Sequence, residues 1–247
     1  MDDPVKSMLR GFHERASAKT EREHARDDLA EAVRALLRSM IRSGADPVVA
    51  RHMAEVIREA AAELEATSEV EPYGNLPAVS AEGALGTGPS FLDRSPVIGS
   101  MNPVAPPMQI ELQSADEGEQ YGTVTGRVNF SSVYEGPPGC VHGGFLAAAF
   151  DEVLGITQSL SGNPGLTGQL SIRYLSPSPL HVDLVFTGRI VKIEGRKIHT
   201  AAILKNGDTV CAESEGLFIS MSPEVFERLL RIRGGEAGQN RKQTRGE

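Results

Sequence analysis

The chain has 247 residues and a formal net charge of −8, and 40% of its residues are hydrophobic. That apolar share is typical of a soluble globular protein, and the pI of about 5.4 argues against a nucleic-acid partner. No apolar run is long enough for a membrane span, and the N-terminus lacks the apolar core of a secretory signal. Two cysteines, Cys140 and Cys211, are too few for a disulfide framework or a four-cysteine zinc site, so we expect a reducing, cytoplasmic setting.

Residues 1–67 are predicted to form a helical N-terminal extension. Apolar residues recur at helical spacing in a first helix that Gly44 ends, and Asp46-Pro47 is typical of the cap and first turn of a second helix. The segment carries 11 Lys/Arg and 13 Asp/Glu, so it lacks the basic excess of a DNA-reading helix-turn-helix. We interpret it as a helical hairpin that packs on the rest of the protein or on a partner, outside the catalytic core.

Two further segments flank the predicted main domain. Residues 68–105 are rich in proline and glycine, which predicts a linker whose second half, SPVIGSMNPVAPPM, is partly ordered as it runs into the first strand. Residues 224–247 are predicted to form a short helix followed by a disordered polar tail.

Residues 106–223 form the predicted main domain. Its pattern is two strands, one long helix starting near Gly143, and four more strands, with a strong hairpin signal at Asn206-Gly207 and a weaker one around Gly195. Strands and helix segregated in this way indicate an α+β fold in which one helix lies on an antiparallel sheet.

The long helix carries the most informative pattern. One face is predicted to pack on the sheet and comprises Leu146, Phe150, Val153 and Thr157, with Phe145, Ala149 and Ile156 beside them. The opposite stripe holds Gly144, Ala148, Asp151 and Gly155. A solvent face normally carries Lys, Glu or Gln, so small residues around one carboxylate favour a functional Asp151 over a solubilising one. Glu152, further around the helix, is the alternative acid.

The start of this helix is a candidate oxyanion site. Gly143 and Gly144 leave backbone N–H groups uncovered where the helix dipole adds positive charge. His142 either contacts a substrate or makes a structural hydrogen bond. Asp151 lies roughly 12 Å from Gly143 along the helix at about 1.5 Å per residue. One acyl carbonyl cannot meet both, so we predict a homodimer whose antiparallel helices share each site.

The motifs EGPPGCVHGG, Asp151 nine residues after His142, GLTGQLSIRYLSPSPL and IEGRK resemble one family. Together they are similar to the hot-dog-fold acyl-CoA thioesterases of the PaaI type and to the animal thioesterase-superfamily proteins. The resemblance covers residues 106–223. It implies a hot-dog fold, an acyl-CoA substrate, a homodimer or dimer of dimers, and no cofactor or metal, because coenzyme A is part of the substrate.

The resemblance also implies residue roles. The Gly143 amide polarises the thioester carbonyl, and Asp151 of the other subunit acts on water as a general base or attacks the carbonyl itself. Thr167 hydrogen-bonds the water or the carboxylate, unless it is only a strand former. Apart from the resemblance, Gly144 in the small-residue stripe is expected to let another backbone or a ligand, here the substrate, approach closely. Arg196 and Lys197 meet the CoA phosphates or form a solvated turn. Where some relatives carry an asparagine as a second carbonyl donor, this chain has Gly136.

Other chemistries fit the sequence less well. It contains no serine nucleophile elbow, phosphate-binding loop, dinucleotide fingerprint or zinc-protease motif. The remaining alternative is a non-catalytic acyl-CoA-binding module whose N-terminal helices recruit a partner. Retention of Asp151 in the small-residue stripe argues against that alternative.

Overall fold

The protein is described from a computed structural model, which covers residues 19–67, 92–115, 117–163 and 165–221. Predictions for residues 1–18, for the first part of the linker and for the 224–247 tail lie outside the described residues. Three α-helices are described: α1 (Glu21–Arg42), α2 (Pro47–Ala66) and α3 (Gly143–Ser159). Short 3₁₀ turns occupy Leu92–Arg94 and Ser132–Tyr134. Within these residues no helix is long and apolar enough to cross a membrane.

A six-stranded antiparallel sheet forms the scaffold of the domain. Its strands are β1 (Gln109–Gln113), β2 (Thr123–Asn129), β3 (Gly165–Tyr174), β4 (Asp183–Glu194), β5 (Lys197–Asn206) and β6 (Thr209–Ser220). Their spatial order is β1-β2-β4-β5-β6-β3, and every neighbouring pair is antiparallel. The predicted α+β arrangement, with one long helix on an antiparallel sheet, is confirmed.

Both predicted hairpins form at glycines in the left-handed region. Gly195 (φ +59°) joins β4 to β5, and Gly207 (φ +55°) joins β5 to β6. Residues with a side chain rarely adopt this backbone conformation, which explains why the turns carry glycine.

Helix α3 packs on the sheet through the face that the sequence predicts. Leu146, Phe150, Val153 and Thr157 are at most 3% exposed. The helix comes close to the strands because Gly188 of β4 has no side chain; a Cβ there would overlap the Thr157 hydroxyl. One flanking residue departs from the prediction. Phe145 is 38% exposed because it lies in the first turn, where it packs edge-on against Tyr134 instead of on the sheet.

The described part of the predicted linker is closely packed. Val97 belongs to the hydrophobic core, and Ala105 is fully buried. The two N-terminal helices differ in their packing. Helix α1 buries Ala30 and Arg34, whereas α2 has no buried residue. Of the predicted helical pair, therefore, α1 docks on the rest of the chain, and α2 leaves apolar residues such as Val49 and Val56 exposed.

Candidate active site

His142 caps the N-terminus of α3. Its Nδ1 accepts a hydrogen bond from the Gly144 N–H at 3.0 Å, so a neutral ring carries its proton on Nε2. The Gly144 amide is therefore used inside the turn. Among the hydrogen bonds of the described residues, none uses the Gly143 N–H. Of the two predicted amide donors, Gly143 is the one left available at the positive end of the helix dipole.

The loop before α3 folds back tightly on itself. The His142 N–H donates to the Tyr134 carbonyl at 2.8 Å, and the Val141 N–H donates to the Ser178 carbonyl at 2.9 Å. A Cβ on Gly136 would lie 2.7 Å from the His142 Cα. No asparagine fits at Gly136 without moving this backbone. An asparagine at this position, which would be a second donor to the expected thioester carbonyl, is therefore sterically disfavoured.

Tyr174, at the end of β3, contacts the same turn. Its hydroxyl donates to the Gly143 carbonyl at 2.8 Å, and its ring lies 3.4 Å from where a Gly143 Cβ would be. The side chain remains 54% exposed. The sequence interpretation missed this residue, because an exposed aromatic at a strand end is a weak signal unless the strand's position beside α3 is known.

Asp151 and Thr167 are brought together. The Thr167 hydroxyl donates to Asp151 Oδ1 at 2.8 Å. Thr167 lies on β3 next to an irregularity in the pairing with β6, between Thr167 and Gln169. Such bulges re-aim side chains at the edge of a sheet. One carboxylate oxygen is held by Thr167, and Asp151 itself is partly exposed on the small-residue stripe.

Glu152, the alternative acid, has a different environment. Burial raises the pKa of its carboxyl group, and the neighbouring negative charge of Asp151 raises it further, while a hydrogen bond with the Ser95 side chain opposes both effects. The Ser95 hydroxyl also accepts from the N–H groups of Val97 and Ile98. Glu152 is thus partly buried beside Ser95, whereas Asp151 lies on the small-residue stripe with Thr167 as its partner.

Gly143 and Asp151 are not brought together within one chain. Both belong to the continuous helix α3, with Asp151 eight residues beyond Gly143, which keeps them roughly 12 Å apart at about 1.5 Å per residue. Between them the stripe exposes Gly144 and Ala148, so a second backbone or a ligand can approach it closely.

Arg196 and Lys197 lie at the turn between β4 and β5 and are exposed. Arg196 Nε donates to the Ser220 carbonyl at 3.0 Å, which fixes the guanidinium against the end of β6. Among the residues that the structure describes, no group of three or more His, Cys, Asp or Glu side chains could hold a metal ion.

Comparison with known proteins adds independent information. Residues 138–213 match the family model described as the thioesterase superfamily. The chain is 37% identical over 92 residues to acyl-coenzyme A thioesterase THEM4 of Mus musculus, covering 36% of this chain and 40% of that protein. It is 38% identical over 95 residues to acyl-coenzyme A thioesterase THEM5 of Homo sapiens, covering 38% of each. The chain thus spans about two fifths of the length of these curated relatives.

A solved structure gives a longer match. The crystal structure of a thioesterase superfamily protein superposes with a TM-score of 0.66 at 33% sequence identity, covering 78% of this chain and 94% of that one. With this identity over nearly all of a relative's length, and with a hot-dog arrangement of sheet and helix, the chain belongs to the thioesterase superfamily.

Proposed function

We propose that the protein is an acyl-CoA thioesterase, which hydrolyses an acyl-CoA thioester to the free acid and CoA. The observation that carries this proposal is the pairing of two features on one helix: an unused Gly143 N–H at its N-terminus and a Thr167-held carboxylate, Asp151, on its open stripe. The activity in the names of the THEM4 and THEM5 relatives supports the same reaction.

The proposed chemistry needs only groups of the protein and water. The thioester carbonyl oxygen accepts from the Gly143 N–H, which stabilises the negative charge that develops there. In the general-base route, Asp151 takes a proton from water while the water oxygen bonds to the acyl carbon. The C–S bond then breaks, and the CoA sulfur leaves with the proton from Asp151.

A nucleophilic route uses the same carboxylate. An Asp151 oxygen bonds to the acyl carbon, and the CoA thiolate leaves. Water then adds to the resulting anhydride and splits it, which releases the free acid and regenerates the Asp151 carboxylate, and the remaining proton of the water protonates the CoA thiolate. In both routes the Thr167 hydroxyl fixes one oxygen of Asp151 and leaves the other available for the reaction.

The proposed site is shared between two copies of the chain. Antiparallel packing of two α3 helices through their small-residue stripes brings Gly143 of one copy to Asp151 of the other. A homodimer then holds two sites, and a dimer of dimers holds four. Arg196 and Lys197 supply positive charge for the CoA phosphates, and no cofactor is required.

The direct test is a thiol-release assay with the full-length protein. Acetyl-CoA, hydroxyaryl-CoA and straight-chain substrates of about 4 to 18 carbons cover the relevant acyl classes, and free CoA is detected with a thiol reagent. We expect release from at least one class. Saturable acyl-CoA binding without release from any substrate would instead identify a non-catalytic acyl-CoA-binding module.

A further inference from the structure

Helix α1 carries a buried arginine. Arg34 is 7% exposed, and its guanidinium is hydrogen-bonded in two directions. Nε donates to Glu31 on the same helix at 2.8 Å, while Nη1 donates to the main-chain carbonyls of Ser100 and Asn102 at 3.1 and 3.0 Å. Removing one partner of a buried, hydrogen-bonded charge is costly, so this contact holds α1 firmly to the 100–102 segment.

The 100–104 segment connects the Arg34 contact to Tyr134 through hydrogen bonds. The Asn102 side chain accepts from the Val104 N–H at 2.9 Å and donates to the Arg94 carbonyl at 2.9 Å, which fixes the segment internally. The Val104 carbonyl then accepts from the Tyr134 hydroxyl at 2.9 Å. Burial raises the pKa of Tyr134 to about 12, so the phenol remains a hydrogen-bond donor at neutral pH.

Tyr134 in turn holds the turn that presents Gly143. Its carbonyl accepts from the His142 N–H at 2.8 Å, and its ring packs edge-on against Phe145 with centroids 5.0 Å apart. His142 and Phe145 lie on either side of Gly143-Gly144 in the chain. A shift of Tyr134 therefore moves both ends of the candidate oxyanion turn.

We propose that Arg34 is a positioning residue for the Gly143 amide, acting from the N-terminal helix through the 100–104 segment and Tyr134. Helix α1 then contributes to the geometry of the active site and is not only an appendage to it. The kinetic consequence rests on the proposed thioesterase function, whereas the structural coupling between Arg34 and the turn does not.

The test compares Arg34→Ala with Arg38→Ala in the full-length protein. Arg38 lies one turn further along α1 and, like Arg34, bonds Glu31, but it is more exposed and makes no hydrogen bond to the 100–104 segment. A misplaced reacting group costs rate even when the substitution is remote, so we expect Arg34→Ala to lower kcat by about tenfold or more. KM should stay within about twofold, since the binding surface is unchanged. Arg38→Ala should leave both values near those of the wild type.

Two further variants separate positioning from stability. Leu112→Ala removes a core side chain from β1 and lowers the melting temperature without touching the chain of contacts. It should keep its kcat at temperatures where it is folded. Arg34→Lys keeps the positive charge but loses the planar guanidinium group and its several N–H donors. Its kcat should therefore lie between those of Arg34→Ala and the wild type. An Arg34→Ala protein that is folded and has wild-type kcat, or a Leu112→Ala protein that loses kcat to the same extent, overturns the proposal.

A second measurement does not depend on turnover or on the alanine variant folding. Amide hydrogen exchange at His142 reports the bond from its N–H to Tyr134. We expect faster exchange in Arg34→Lys and in Tyr134→Phe, which removes only the hydroxyl bond to Val104, and unchanged exchange in Arg38→Ala. Wild-type exchange in both of the first two variants refutes the coupling. If exchange changes but no variant and no wild-type protein releases CoA, the coupling stands and the proposed function fails.

Discussion

Three ionisable side chains on α3 or at its start, those of His142, Asp151 and Glu152, lie in different environments. The His142 ring is occupied in capping the helix, because its Nδ1 accepts from the Gly144 amide. Glu152 lies beside Ser95 of the segment before β1, where burial raises the pKa of its carboxyl group. Of these three side chains, Asp151 combines a partly exposed position with a fixed orientation, supplied by Thr167. This division favours Asp151 over Glu152 as the group that acts on the substrate.

The first prediction concerns Asp151→Asn. The amide keeps the size of the side chain, and its oxygen can still accept from Thr167, so the fold should be preserved. The charge and the basicity are lost, and we expect kcat to fall about 10²-fold or more, a typical contribution of a general base. Thiol-release kinetics and a thermal melt measure both effects. A near-normal kcat would shift the role to Glu152 or remove it from this helix.

The second prediction concerns the partly buried carboxyl group of Glu152. Its pKa is raised above the unfolded value of 4.5, so the folded protein binds this proton more tightly than the unfolded chain does. The contribution of Glu152 to the free energy of unfolding therefore falls as pH rises from the unfolded pKa through the raised folded pKa. Glu152→Gln removes this titration. We expect the free energy of unfolding of the variant, minus that of the wild type, to be larger at pH 7 than at pH 4, as measured by urea unfolding at both pH values. An equal difference at the two pH values would contradict it.

At the scale of elements, the third prediction concerns loss of the N-terminal helices. A protein starting at Ser90 keeps the sheet, α3 and the packed 95–108 segment, so we expect it to fold. It loses the Arg34 donors and the hydrogen bond from Lys19 to the Ser100 side chain. We therefore expect a lower melting temperature and a kcat reduced to the same degree as in Arg34→Ala. Circular dichroism and thiol release measure these outcomes. An insoluble product would show that α1 covers surface the core cannot expose.

The elements that the sequence predicts well are those with a local signal. Alternating strands, the helical stripe of α3 and the Asn206-Gly207 turn each depend on residues close together in the chain. The Asp151–Thr167 pairing came from the family resemblance. The burial of Val97 and Ala105 was not predicted, because proline and glycine around them indicate a linker. Arg34 was missed since its carbonyl partners lie 66 and 68 residues away, and an arginine in a helix is normally solvated.

At the scale of the whole molecule, the length of α3 determines how many chains the proposed site needs. Gly143 and Asp151 lie eight residues apart on an unbroken helix, which excludes a single carbonyl from touching both within one chain. The structure also shows how to test a shared site. Gly143 is the first residue of α3, a position that tolerates proline, and His142 before it has the extended backbone that a following proline requires. Gly143→Pro therefore removes the amide donor with little disturbance of the helix.

The last prediction uses this substitution in a mixing experiment. Gly143→Pro lacks the proposed oxyanion donor, at an expected cost of roughly 3 kcal/mol in the transition state, and Asp151→Asn lacks the proposed catalytic carboxylate, so each homodimer should be nearly inactive. In a mixed dimer, one site combines the intact Gly143 of one chain with the intact Asp151 of the other, and the second site carries both defects. Random mixing makes half of the dimers mixed, with one of two sites intact, so co-refolding should restore about a quarter of wild-type activity. Thermal melts of each variant establish that it folds, and native mass spectrometry establishes that mixed dimers form. If verified mixed dimers stay inactive, the site is not built from Gly143 and Asp151 of different chains.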